Sequence, residues 1–303
     1  MNFNNLKIGH TTLQAKGTGV TVFLFEQPAA CGWSLCGAAP ATRDVNIIDP
    51  TATVEKIDAL VFGGGSAYGL GATNGVMQWL LEHKRGYVTR YGLVPLVPTA
   101  DIYDFGVNGM HFPSPEDAYQ ACQNAQKNNT MHGRVGVGTG ATVGKWMHAG
   151  HHIMSGGFGF AQLEGPDGLQ VLVCAVVNSV GDVINEQGQV VAGAKKKDGS
   201  FLNMPQELSA GHFGKTDISS ENTTLVAVFT NAILQRAQLT RIAKMASAGI
   251  ARATMPAFTR YDGDVVFAAS LDRVAADEMV VGTLAALATH KAILQAVEGS
   301  VII

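Results

Sequence analysis

Charge is scarce in this chain: only 15% of its 303 residues are Asp, Glu, Lys or Arg, and the formal balance is −3. No basic face stands out, which argues against a nucleic-acid partner. The one basic run, Lys195-Lys196-Lys197, is short and closes on Asp198-Gly199, the pattern of a solvated turn. Cysteine is equally sparse. Cys31, Cys36, Cys122 and Cys174 give neither a CxxC pair nor a zinc spacing, and Cys122 and Cys174 read as small buried apolar residues. The opening Met1-Asn2-Phe3-Asn4-Asn5-Leu6 lacks the charged-then-apolar layout of a secretory signal, and no apolar run approaches the length that spans a bilayer. The expectation is a soluble, cytoplasmic protein with no membrane partner. No internal repeat is found.

What is abundant is apolar surface and glycine. A 47% apolar composition with 36 glycines fits a well-buried globular enzyme and excludes a disordered chain. At 303 residues the chain is near the upper limit for one hydrophobic core, so one large domain or two intimate halves is expected.

Read in order, Gly19–Glu26 is an early strand, followed by a loop through Pro28, Gly32 and Gly37. Asp58–Phe62 is a short buried strand running into Gly63-Gly64-Gly65-Ser66, and a helix follows with Leu70, Val76, Met77, Leu80 and Leu81 on one side. Leu93–Ile102 is extended and marked by prolines, as an edge or a loop. Ser114-Pro115-Glu116-Asp117 is a helix start, with a capping serine, proline in the first turn and acids at the positive end of the dipole. Ile153–Leu163 and Leu169–Val177 read as neighbouring strands about a Pro166-Asp167-Gly168 turn, and Asp182–Gly188 as a turn-rich strand pair. From Ala194 to Glu221 the chain is polar and without period, which is long for a loop in a compact domain. Leu225–Thr230 and Asp264–Ala269 are strands. Leu239, Ile242, Met245, Ala246, Gly249 and Ile250 trace one helix face, and Leu284, Leu287, Lys291, Leu294 and Val297 mark a final helix. Strands apolar on both faces, with helices rich in alanine and glycine, imply a layered α/β body.

The glycine-rich runs do not make nucleotide loops. In Gly133–Lys145 a phosphate loop needs glycine at Thr139 and Ser or Thr at Trp146. Gly64-Gly65-Ser66-Ala67-Tyr68 misses the nucleophile elbow because Tyr68 holds the last glycine position. Tight turns explain each run alone. His148, His151 and His152 could hold a metal, but no carboxylate or cysteine stands close at ligand spacing, and a surface loop is the plainer reading. Asp262-Gly263-Asp264 sets two carboxylates at i and i+2, on the same side if extended; a divalent ion, acid–base work or a simple turn would each use that pattern. Neither a cofactor nor a metal is expected.

The informative stretch is Ser219-Ser220-Glu221-Asn222-Thr223-Thr224-Leu225-Val226-Ala227-Val228-Phe229, where a polar run ends and a buried strand begins. Scission of Asn222–Thr223 would leave Thr223 with a free α-amine beside its own hydroxyl, base and nucleophile in one residue. Asn222-Thr223-Thr224 also fits an N-glycosylation acceptor, which has no physical route without secretion. Taken alone, such a pair at a strand start is ordinary.

Taken together with Asp58–Gly75 (DALVFGGGSAYGLGATNG), Ile102-Tyr103-Asp104-Phe105, Gly133–Lys145, Val177-Asn178-Ser179-Val180-Gly181 and Tyr261-Asp262-Gly263-Asp264 with Phe267-Ala268, the junction resembles the L-aminopeptidase/D-esterase family. That family includes β-peptidyl aminopeptidases and nylon-oligomer (6-aminohexanoate) hydrolases, and the matching segments occur in family order over most of the chain. The resemblance implies an α/β fold, a four-layer αββα sandwich of N-terminal-nucleophile-hydrolase type with its own strand connectivity. It implies a single domain, 1–303, cut into a 1–222 α fragment and a 223–303 β fragment that stay associated, and a homo-oligomer of processed units. It places Thr223 as nucleophile, Asn178 as an oxyanion-hole amide, Lys145 near the nucleophile, Tyr103 in the active site, and Asp262 and Asp264 at the two acidic positions. β-Aminopeptidases carry serine at the first of these, so the two aspartates lean toward the nylon-hydrolase branch.

Each role has a physical reason. A free α-amine titrates near pH ~8, leaving a neutral fraction to accept the hydroxyl proton. An amide donor such as Asn178 on the oxyanion is worth ~3 kcal/mol. Lys145 would stabilise developing negative charge or lower the Thr223 amine pKa. Asp262 and Asp264 would orient the ammonium or the lysine. The 194–221 segment would become a loose tail after scission. The activity expected is hydrolysis of short peptides or amides, with acyl transfer of the ornithine-acetyltransferase type and an uncut, non-catalytic binding protein as rivals.

Overall fold

The computed structural model of the chain describes residues 3, 5–145, 151–212 and 222–303. Nine strands form its main sheet system among the described residues: β1 (Leu6–Leu13), β2 (Thr18–Leu35), β3 (Ala41–Arg43), β4 (Lys56–Gly63), β5 (Thr99–Asp101), β6 (Gly157–Glu164), β7 (Gln170–Asn178), β8 (Thr223–Ala232) and β9 (Val265–Val274). Their order is β6-β7-β8-β9-β2-β4-β5-β3, with β1 added on β2. β8 and β9 run parallel, as do β4 and β5; the other pairs are antiparallel. Four helices cover the sheets: α1 (Thr73–Glu82), α2 (Pro115–Gln123), α3 (Arg236–Ala253) and α4 (Glu278–Ala296).

The layering follows from period-two alternation on strands buried on both faces. On β7, Leu172, Cys174 and Val176 enter a central core, while Val171, Val173, Ala175 and Val177 enter the core under α3 and α4. β8 divides likewise, with Leu225, Ala227 and Phe229 on one face and Val226 and Val228 on the other. On β2, Phe23 and Phe25 face the centre, and Val20, Val22 and Leu24 face α1 and α2. The central core is locked by phenylalanines from neighbouring and distant strands of this sheet system: Phe23 lies 5.3 Å from Phe62 on β4 and 5.2 Å from Phe229 on β8 between ring centroids. The result is helix, sheet, sheet, helix, as the resemblance implied.

Several local expectations change. β2 does not stop at Glu26 but continues through Pro28 and Gly32 to Leu35. Its register against β4 slips between Leu24 and Ala29, and Pro28, which has no N–H to give a ladder, sits exposed in that irregular stretch. Leu81 is exposed rather than on the buried stripe of α1. The 194–221 segment, without period in the sequence, has structure over its first part in the uncut chain: Ala194, Leu202 and Met204 form a small buried cluster, and Met204–Ser209 is helical. Asp182 pins it, accepting from the Ala194 N–H at 3.0 Å and the Met204 N–H at 2.7 Å.

The buried face of α4 is also different. Val281, Ala285, Ala288, Ala292, Ile293 and Ala296 point inward, while Leu287 is 39% exposed. The reason is close approach. A Cβ on Gly159 of β6 would stand 2.2 Å from the Ala292 carbonyl oxygen, and one on Gly249 of α3 would stand 2.4 Å from that of Ala286. Backbones this near leave room for small residues at the points of contact, while Val281 and Ile293 fill the space between them. By length and composition alone α4 is apolar enough to cross a membrane, contrary to the sequence expectation; half of it is buried against β6, β7 and α3.

These contacts set a stability test. Gly159→Val and Gly249→Val should each lower the unfolding free energy by at least ~1–3 kcal/mol, and Leu287→Ala by under ~0.5 kcal/mol, in urea titrations. Similar losses for all three would contradict the packing described.

Candidate active site

The site lies where β7 ends and β8 begins. Asn178 and Thr223 are direct partners in the antiparallel ladder, so the last residue of one strand faces the first of the next. Asn222 pairs with Asp262 as a parallel bridge, which carries the β8–β9 register back to the aspartates. The chain is continuous across Asn222–Thr223, and both residues are buried. The Thr223 hydroxyl donates to the carbonyl oxygen of Asn222 at 2.6 Å. The N–H of Gly263 donates to the same oxygen at 2.7 Å.

Asn178 is held from three sides. Its Oδ1 accepts from Lys145 Nζ at 2.7 Å and from the Thr142 N–H at 3.0 Å, and its Nδ2 donates to the Tyr103 carbonyl at 2.9 Å. Lys145 Nζ also reaches the Asn178 carbonyl at 2.9 Å. The lysine follows a short strand, Thr142–Val143, and its N–H bonds the Val180 carbonyl, which ties the glycine-rich run to the end of β7. Gly144, at φ +71, allows that turn: a Cβ there would be 2.0 Å from Ala194 N. Tyr103 follows β5, its backbone on Asn178 and its ring edge-on to Phe105 at 4.8 Å.

The two aspartates precede β9. Asp264 Oδ1 accepts from the Thr224 N–H at 2.5 Å, next to the junction, and its Oδ2 accepts from Phe258 N at 3.3 Å. Burial, then the charge of Asp262, pushes its pKa up to about 7. Asp262 Oδ2 accepts from the Thr259 N–H at 2.8 Å and the Thr259 hydroxyl at 2.6 Å. Burial raises its pKa too, opposed by Thr259 and by the positive charge of Lys145. Both shifts run the same way, toward carboxyls that hold a proton more readily than exposed ones, which suits groups that pass protons.

All six residues picked from the sequence, and the Asn222 junction, are gathered here. His148 and Ser219–Glu221 lie outside the described residues. Among the described residues no group of three or more His, Cys, Asp or Glu is arranged to hold a metal.

Sequence reasoning passed over Asp104, although it stood beside Tyr103 in a quoted stretch. Its Oδ1 accepts from the Gly65 N–H at 2.8 Å. Glycines make its space: a Cβ on Gly64 or Gly140 would come within 2.1 or 2.8 Å of Asp104 Oδ2. Burial pushes its pKa up to about 6, against pulls from Thr18, Gly65 and Lys145. Asp101, buried beside it, is raised well above the carboxylate range by burial and then by the charge of Asp104.

Residues 3–302 match peptidase family S58. The chain belongs to that family. It is 39% identical over 269 residues to a Mycobacterium leprae protein named as an uncharacterised aminopeptidase, covering 85% of this chain and 72% of that one. It is 30% identical over 221 residues to a 6-aminohexanoate-oligomer endohydrolase of Agromyces, covering 71% and 61%. In structure it resembles a β-aminopeptidase of Burkholderia, with a TM-score of 0.72 at 19% identity. It also resembles the L-aminopeptidase D-Ala-esterase/amidase of Ochrobactrum anthropi, with a TM-score of 0.73 at 18% identity; each likeness covers 97% of this chain and 84% of the other. The second is described as a variant of the Ntn-hydrolase fold, and the S58 chain here shares that fold. As a peptidase-family member it is a hydrolase of amide bonds.

The raised pKa of Asp104 gives a signed expectation. A carboxyl that keeps its proton in the folded state contributes stability present below the ordinary carboxylate pKa and lost as pH rises through about 6. Asp104→Asn should therefore gain stability over its parent between pH 4 and 7, by up to about 3 kcal/mol at ~1.4 kcal/mol per pH unit. His10, pushed down to about 4 by burial, contributes the opposite slope in both chains and cancels. Denaturant melts of the two chains in a Thr223→Ala background read the difference, and a constant or falling difference would contradict it.

Proposed function

We propose that the chain is an autoprocessing aminopeptidase or amidohydrolase. It cuts its own Asn222–Thr223 bond and then uses N-terminal Thr223 to cleave N-terminal residues or amides from short substrates bearing a free amine. The observation that carries this reading is the 2.6 Å contact of the Thr223 hydroxyl with the carbonyl of the preceding residue, at the edge of a cluster holding Asn178, Lys145, Asp262 and Asp264. A hydroxyl already against its carbonyl needs little motion to attack it.

In the mature enzyme the freed α-amine is the base for its own hydroxyl. The amide of Asn178 leaves the Tyr103 carbonyl for the substrate oxyanion, while Lys145 holds Oδ1 and so fixes which way the amide faces. Asp262 and Asp264 take the ammonium of the new terminus or of the substrate. The relatives' names bring two substrate classes, peptides with a free N-terminus and oligomers of an ω-amino acid, and both present an amine to a site of buried carboxylates. The fragments stay together because β8 and β9 of residues 223–303 lie between β7 and β2 of residues 1–222. The reading includes a cytoplasmic homo-oligomer of processed units.

Thr223→Ala should remain one chain by intact mass and lose hydrolysis of amino-acid p-nitroanilides, while Thr223→Ser should keep both scission and activity. An alanine variant as active as wild type would end the proposal. With an amine acceptor present, release of free acid as the main product favours hydrolysis; acylated acceptor as the main product favours the acyl-transfer rival.

A further inference from the structure

Resting on the self-cleavage reading, we propose that the backbone N–H of Gly263 is the oxyanion donor for the scission of Asn222–Thr223. The middle residue of Asp262-Gly263-Asp264 is thereby a catalytic residue acting through its main chain. The observation is direct: the Gly263 N–H stands 2.7 Å from the carbonyl oxygen that becomes negative when the Thr223 oxygen adds to the Asn222 carbon.

The donor is fixed before the reaction begins. The Asp262–Gly263 peptide unit is clamped at its other end, where the Asp262 carbonyl accepts from the Ala39 N–H at 2.9 Å. The carbonyl two residues on, of Asp264, accepts from Cys36 N at 2.9 Å and Gly37 N at 3.1 Å. The flanking carboxylates are tied down as well, Asp262 by Thr259 and Asp264 by Thr224 and Phe258. Nothing in this frame needs to turn as charge develops, and that is the condition under which a hydrogen bond stabilises a transition state most.

The frame also explains why glycine stands between the acids. A Cβ on Gly263 would come 2.6 Å from the Ala39 carbonyl oxygen and 2.9 Å from Thr223 Oγ1. Any side chain would push against the nucleophile or swing the N–H off the Asn222 oxygen. Gly37 is bound by the same geometry from the opposite side, since its Cβ would fall 2.1 Å from the Asp262 carbonyl oxygen.

The Thr223 Oγ–C bond to the Asn222 carbonyl carbon forms, and the carbonyl π pair moves onto the oxygen facing Gly263. The Asn222–Thr223 C–N bond then breaks, the hydroxyl proton ends on the departing Thr223 nitrogen, and the product is an ester with a free amine. Water hydrolyses that ester, leaving the Asn222 carboxylate and the Thr223 hydroxyl.

The test replaces Gly263 by glycolic acid in the full chain, using cell-free translation with a stop codon suppressed by tRNA charged with that acid. The ester deletes the N–H and adds no bulk. Scission, followed by intact mass, should slow about 10²-fold, the usual effect of one oxyanion donor. The same replacement at Gly165, whose N–H donates to the Leu169 carbonyl at 2.9 Å in the turn between β6 and β7, should leave the rate within about threefold. Gly263→Ala, which keeps the N–H but must displace it, should also slow scission. If wild type cuts while either Gly263 variant cuts at its rate, or if the Gly165 ester slows as much, this assignment is overturned and the self-cleavage reading stands. A wild-type chain that never cuts overturns both.

Discussion

Everything in this site is arranged around one carbonyl group, that of Asn222, pressed between the hydroxyl of the following residue and a backbone N–H from the segment leading into β9. The carbonyl is buried, so its oxygen cannot rely on water and takes its hydrogen bonds from Thr223 and Gly263. The fold supplies both. β8 lies between β7 and β9, and the strand that opens with Thr223 is registered against Asn178 on one side and extends back to Asp262 on the other. A one-residue slip in either ladder would turn Thr223 away from this cluster, and the apolar alternation on both faces of β8 prevents the slip.

Around that carbonyl, charge is kept low and unusually placed. Asp101, Asp104, Asp262 and Asp264 are all buried, and Lys145 is the cation that pulls on Asp104 and Asp262. Burial is the first cause of each raised carboxyl pKa, and like charge the second for Asp101 and Asp264. A site that holds several acids near neutrality costs folding free energy, and such costs concentrate where protons must move. The scarcity of charge in the whole chain makes this cluster stand out further.

Part of the site was legible in the residues themselves because it marks element ends, whereas the roles of Asn178, Lys145, Tyr103 and the two aspartates came only from the family resemblance. Asn178 closes an apolar run and Thr223 opens one, so their placement at the mouths of buried strands followed from periodicity. Asp262 and Asp264 precede another such run. Asp104 and Gly263 were missed for opposite reasons. Asp104 is a buried acid whose space depends on distant Gly64 and Gly140, and Gly263 offers the Asn222 carbonyl only a backbone N–H, which no side-chain pattern reports. The outer elements misled where long-range packing overrode local pattern. β2 runs through Pro28 because a register irregularity admits it, and α4 turns its alanines inward because Gly159 and Gly249 let the backbones nearly touch. Neither fact is visible within a window of ten residues.

The account stands or falls on the fate of one peptide bond in the native protein. N-terminal sequencing of purified wild-type chain, with intact mass under denaturing conditions, should find a second terminus reading Thr-Thr-Leu-Val and two fragments dividing at Asn222. A single terminus and an uncut mass after prolonged incubation would contradict it.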